Sequence, residues 1–123
     1  MKRILIVEDD TRVAKALEVR IRSAGYATAL AGDCSSGVAV FTKTKPDLVL
    51  LDINIPGGSG FSVAEKIQTL SRKPIPIVFI TASKQPEFIE RARELGASGF
   101  LEKPYEPAQV LTLLETVLNL AVR

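Results

Sequence analysis

The stretch LVLLDINIPGGSGF, Leu48–Phe61, decides how the chain folds. Four apolar residues, Leu48–Leu51, lead directly into Asp52, then Asn54, Pro56 and the glycines 57, 58 and 60. An apolar run without alternation reads as a strand buried on both faces, which is the signature of a parallel sheet. A carboxylate at the end of such a strand is costly unless something pairs with it. Asp52 therefore either caps a turn or is held in place to react.

Similar runs recur along the chain. RILIV (3–7), YATALA (26–31), IPIVFI (75–80) and GFL (99–101) read as further strands, with 48–51 the third in order. Amphipathic segments separate them. Residues 11–24 place Val13, Leu17, Ile21 and Ala24 on one face, with Gly25 as the stop. Asp10 suits the cap of this helix, and Asp33 the cap of a helix carrying Val38 and Phe41. Residues 60–71 present Phe61, Ala64, Ile67 and Leu70, and a fourth helix presents Phe88, Ala92 and Leu95 before Gly96. The last helix follows Pro107, with Leu111, Leu114, Leu118 and Ala121 as its inner stripe. A second apolar seam, Val110, Leu113, Val117 and Leu120, marks either further packing or a contact surface. Five strand–helix repeats predict an α/β, flavodoxin-like (βα)5 doubly wound sheet of order 2-1-3-4-5. No linker or repeat appears, so residues 1–123 read as one domain.

Composition narrows the chemistry. The chain has no histidine and one cysteine, Cys34, so histidine-dependent triads, internal disulfides and thiolate metal clusters are excluded. Cys34 itself reads as an inert helix-start residue. The net charge is +2, with basic residues scattered along the chain, which gives no nucleic-acid footprint. The first apolar run is short and meets three acids, and no run is long enough to span a bilayer. A cytoplasmic location, away from the membrane, is expected.

In a parallel sheet all strand C-termini share one edge. Glu8, Asp9 and Asp10 follow the first strand, Asp52 the third, Thr81 the fourth, and Glu102 and Lys103 the fifth. Ligands bind at that edge, here between the first and third strands. Clustered carboxylates repel unless a cation intervenes, and hard oxygen donors suit Mg²⁺. One carboxylate can act as a nucleophile toward a phosphoryl group, with a lysine and a hydroxyl stabilising the transferred charge. The glycines after Pro56 lack the spacing and lysine of a P-loop and read as a flexible segment.

ILIVEDD (4–10), LVLLDINIPGGSG (48–60), PIVFITAS (76–83) and GASGFLEKPY (96–105), in this order, resemble the receiver domain of two-component response regulators. The resemblance implies that Asp52 is the phosphoacceptor, and that Glu8, Asp9, Asp52 and the Asn54 carbonyl bind Mg²⁺. It implies that Thr81 and Lys103 hold phosphoryl oxygens, that the Lys103–Pro104 bond is cis, and that Phe100 is the switch aromatic, in place of the common tyrosine. Asn54 and Ser83 fall where relatives tune dephosphorylation. The implied donor is a histidine kinase or a histidine phosphotransfer protein, and the implied role is a switch rather than an enzyme. The output face would be the fourth helix, fifth strand and fifth helix, reaching a second copy or an effector domain. Two alternatives stand beside this. A haloacid dehalogenase-type phosphatase needs a second carboxylate where Asn54 stands, and a phosphorylation-independent scaffold would not need the full residue set.

Overall fold

The structure is a computed structural model that describes residues 1–82 and 85–122, with side chains as far as residue 119. Ser83 and the side chains of Leu120 and Ala121 lie outside the described residues. The elements run β1 (Arg3–Val7), α1 (Thr11–Ser23), β2 (Ala27–Ala31), α2 (Cys34–Thr44), β3 (Leu48–Asp52), α3 (Gly60–Leu70), β4 (Ile77–Thr81), α4 (Pro86–Glu94), β5 (Gly99–Glu102) and α5 (Pro107–Val122). All four strand pairings are parallel, in the order β2-β1-β3-β4-β5. This is the predicted (βα)5 order. Asp52 closes β3 rather than following it, because the Ile53 N–H carries the ladder on to the Ile80 carbonyl at 3.0 Å.

Side chains alternate across the central strands and so feed two layers. Leu5, Val7, Val49, Leu51 and Phe79 pack with residues of α2, α3 and α4. Ile4, Ile6, Leu48, Leu50, Val78 and Ile80 pack with α1 and α5. Each fully buried side chain of this kind contributes about 1.5–3 kcal/mol.

The helix starts follow from local chemistry. Asp10 accepts from the Arg12 and Val13 N–H groups at the head of α1. Asp33 and Ser59 each form a reciprocal capping box with the serine three residues on, at α2 and α3. Prolines stand at the first turn of α4 and α5, where their missing N–H is harmless.

The buried faces of three helices are rotated from the predicted ones. In α1, Ala14 joins Leu17 and Ile21 in the core, whereas Ala24 is an exposed cap. In α3, Val63 is buried and Leu70 is 56% exposed. In α5, Val110, Leu114, Val117 and Leu118 are all buried, so half of the supposed outer seam belongs to the core. Leu111 and Leu113 are half-buried. Leu113 also packs against Gly99, where an added Cβ would stand 3.2 Å from its nearer methyl.

Candidate functional site

Strand parity explains which groups meet at the C-terminal edge. Ile6, Leu50 and Leu101 all face the α1/α5 layer. Two residues beyond them stand Glu8, Asp52 and Lys103, so the alternation turns all three to the same side. The Lys103 ammonium lies 2.8 Å from a Glu8 oxygen and 2.8 Å from the Asp52 Oδ2. It reaches both from β5, passing over β4. The Lys103–Pro104 bond is cis, as the resemblance implied. Asp52 Oδ1 accepts the backbone N–H of Asn54 at 2.9 Å. The second Glu8 oxygen accepts the Asp10 N–H at 3.2 Å.

Glu8 and Asp52 are each only 4% exposed, and Asp9 is exposed beside them. Carboxylate oxygens of Glu8, Asp9 and Asp52 lie within 4.8 Å of one another. The one ammonium is bonded to Glu8 and Asp52, and Asp9 stands beside them, so the cluster holds three carboxylates against a single cation. A divalent cation with a preference for hard oxygen donors fits that deficit, and Mg²⁺ is such an ion. Burial raises the Glu8 carboxyl above its ordinary range; the Lys103 ammonium and the Asp10 N–H oppose the rise, and the Asp52 charge adds to it. Burial acts to lower the Lys103 pKa, but the hydrogen bonds to Asp52 and Glu8 outweigh it and hold the ammonium well above its usual range.

Thr81 ends β4 fully buried, and its carbonyl accepts the Lys103 N–H at 2.8 Å. Phe79 pairs with Phe100, and Thr81 with Glu102, so Thr81 and Phe100 occupy the same sheet face on adjacent strands. Phe100 is half-buried against the α2/α3/α4 layer. Asn54 is exposed. The site thus gathers Glu8 and Asp52 on the Lys103 ammonium, with Asp9 beside the two carboxylates, Asn54 and Thr81 bonded through their backbones, and Phe100 on the other sheet face.

The sequence is matched by the response regulator receiver domain family over residues 4–115. The chain belongs to that family. This receiver domain is 34% identical over 118 residues to the DNA-binding response regulator MtrA of Mycolicibacterium smegmatis, covering 96% of this chain and 51% of that protein. It is 37% identical over 119 residues to the transcriptional regulatory protein BaeR of Escherichia coli, covering 95% and 48%. The chain therefore spans about half the length of these curated relatives. Among solved structures, it resembles a CheY-like receiver domain protein from Methanospirillum hungatei, with a TM-score of 0.92, 28% identity and coverage of 97% and 94%. It also resembles the non-phosphorylated HemR receiver domain from Leptospira biflexa, with a TM-score of 0.89, 35% identity and coverage of 96% and 94%. Response regulator receiver domains are signalling switches of two-component systems, partnered with histidine kinases. No helix among the described residues of this receiver domain is long and apolar enough to cross a membrane.

Two residues escaped the sequence reading. A Cβ on Gly60 would lie 2.4 Å from the Asp52 carbonyl oxygen and 2.9 Å from the Ile53 Cα. The Gly60 N–H also bonds the Ile53 carbonyl at 2.7 Å. Gly60 is thus a close-packing residue behind the acidic strand end, not part of a flexible tract. The only sequence cue was its place at a helix start, which says nothing of what lies beneath. Tyr105 is half-buried beside the α1/α5 layer. Burial raises its phenol above the ordinary range, opposed by the charge of Lys103.

Proposed function

We propose that this domain accepts a phosphoryl group on Asp52 and uses it to change the face formed by α4, β5 and α5. The observation that carries this reading is the Asp52 carboxylate itself. It is almost fully buried, held by the Lys103 ammonium and the Asn54 N–H, and flanked by Glu8 and Asp9 at the switch point between β1 and β3. A carboxylate buried this deeply, with an ammonium and an N–H committed to it and two more acids beside it, suits a reacting group better than a turn residue.

The chemistry is a transfer. An Asp52 carboxylate oxygen attacks phosphorus, an O–P bond forms, and the P–N bond of a phosphohistidine breaks with its electron pair returning to the imidazole. With no histidine among these residues, the phosphohistidine belongs to another protein or domain, a kinase or a phosphotransfer protein, and a small phosphodonor can stand in for it. Glu8, Asp9, Asp52 and the Asn54 carbonyl would hold Mg²⁺, which would offset negative charge on the carboxylates and the phosphoryl oxygens. Its two carboxylate partners hold the Lys103 ammonium in its charged form, and it is placed to follow the negative charge from the carboxylate to the phosphoryl oxygens. Thr81 offers a hydroxyl at the end of the neighbouring strand. Its reorientation toward the phosphoryl group would free space on the face it shares with Phe100, biasing the ring inward. The domain then acts as a switch with self-phosphotransfer and self-dephosphorylation. Its output passes to a partner or effector domain, as in the DNA-binding relatives about twice its length.

Incubation with Mg²⁺ and acetyl phosphate, read by intact mass, tests the proposal. One phosphoryl group per chain is expected in the wild type and none in Asp52→Asn. No adduct, or an equal adduct in the variant, would reject it. Multiple-turnover release of phosphate from an unrelated ester would favour the phosphatase instead.

A further inference from the structure

The opposite end of the sheet holds a cleft of about 760 Å³. It lies below the strand N-termini, where Lys2 leads into β1, Asp47 into β3 and Pro76 into β4. A five-residue strand, roughly 17 Å long, separates it from Asp52. Pro46 after α2, and Ser71, Pro74 and Ile75 after α3, line its walls, with Leu118 of α5 also contributing. Leu70 stands at the cleft 56% exposed, a large aliphatic side chain without core contact to explain it.

Four cations ring this apolar surface: Lys2, Lys45, Arg72 and Lys73. They come from three separate parts of the sequence, so their convergence was invisible in a chain whose basic residues looked scattered. Among the described residues none of the four is in an ion pair. The cleft has one carboxylate, Asp47, and its Oδ2 already accepts the Arg3 N–H at 2.8 Å. The surface is thus an apolar floor whose rim carries four cations against the single carboxylate of Asp47, an excess of positive charge.

We propose that this cleft is a docking site for an acidic peptide segment of a partner protein, one that lays an apolar side chain against Leu70 and the prolines. The charge selects an acidic partner, and an apolar centre with a charged rim is the layout of protein interfaces. A single-stranded nucleic acid is a poorer match, because its bases would find no exposed aromatic face to stack on. The one aromatic residue lining the cleft, Phe41, is only 7% exposed. A free inorganic anion would make no use of the apolar floor. The site is separate from the phosphoacceptor edge and does not depend on the reading of Asp52.

The test uses a fluorescein-labelled peptide of alternating aspartate and leucine, titrated by anisotropy and by amide shifts of the unphosphorylated chain. Saturable binding is expected, with shifts confined to Lys2, residues 41–47 and 70–76, Leu118 and their immediate neighbours. The K2E/K73E variant is expected to bind at least tenfold more weakly, and L70D to lose most of the affinity. Should K2E/K73E fail to fold, R72Q/K73Q alters only the loop after α3 and is expected to weaken binding severalfold. No binding at millimolar peptide, equal binding by the variants, or shifts elsewhere would overturn the proposal. So would equal affinity for a leucine-free acidic peptide, or tighter binding to an oligonucleotide or to anionic phosphatidylserine vesicles.

Discussion

At Lys103 a single ammonium serves two nearly buried carboxylates. Removing it leaves both without their cation, and the loss is set by desolvation rather than by the pair's net strength. Lys103→Met should therefore cost about 1–3 kcal/mol in urea denaturation with EDTA, toward the lower end because the lysine is partly solvated. Added Mg²⁺ should recover more stability in the variant than in the wild type, since the ion would take over the missing charge. Glu8 makes a second prediction through its raised pKa. A carboxyl that binds its proton more tightly in the native state favours folding most below its unfolded value, here 4.5. That contribution is lost as pH rises from there through the raised native value. Metal-free stability should decline across this window in the wild type, and the decline should be shallower in Glu8→Gln, followed by denaturation at a series of pH values. The pairing of residue types was legible in the sequence because strand ends in a parallel sheet share one edge. The sharing of one ammonium between Glu8 and Asp52 was not, since it depends on how far a lysine side chain reaches across the sheet.

Among the elements, the start of α3 is the most constrained. Gly60→Ala forces a methyl into the Asp52 carbonyl, and backbone cannot yield as a side chain end can. A loss of about 2–3 kcal/mol is expected by chemical denaturation, together with slower phosphorylation, because the displaced atoms belong to Asp52 itself. Ser59→Ala, one residue earlier, removes only the cap and should cost about 1 kcal/mol with phosphorylation unchanged. At α2 the cap has a pH signature opposite to that of Glu8. Hydrogen bonding to the Ser36 N–H and hydroxyl lowers the Asp33 pKa. Its contribution is therefore present above the unfolded value near 3.8 and lost as pH falls through the lower native one. Strands were easy to place from sequence, since a segment such as Leu48–Leu51 has no polar face to misread. Helix faces were harder. In α5, valines and leucines surround most of the helix, so periodicity alone admits several stripes, and packing against β5 and α1 selects Val110, Leu114, Val117 and Leu118. In α1, the small Ala14 was passed over for the larger Val13, though it is Ala14 that is buried and Val13 that is only half-buried.

For the molecule as a whole, the two layers divided by the sheet determine what α5 can do. Val110 and Val117 support the α1/α5 layer and are removed from any contact surface. Leu114→Ala should destabilise by about 2–5 kcal/mol, measured in urea, with no dependence on protein concentration. Leu113→Glu should also lower stability, because Leu113 packs on Gly99, and a changed sedimentation profile in that variant must be read together with its melt. The layered topology was legible from the order of elements alone. The basic cleft was not, because its rim is assembled from residues far apart in sequence. The reach of Lys103 has one further consequence. β5 is an edge strand of four residues, joined by backbone bonds only to β4. Lys103 adds a tie from its C-terminal end to β1 and β3 that is electrostatic rather than a backbone ladder, and so can be re-addressed without breaking the sheet. Any group that competes for that ammonium changes how tightly the margin of the sheet is moored. On the reading of Asp52 proposed above, a chemical event at the centre would be felt first as slack or tension at the border.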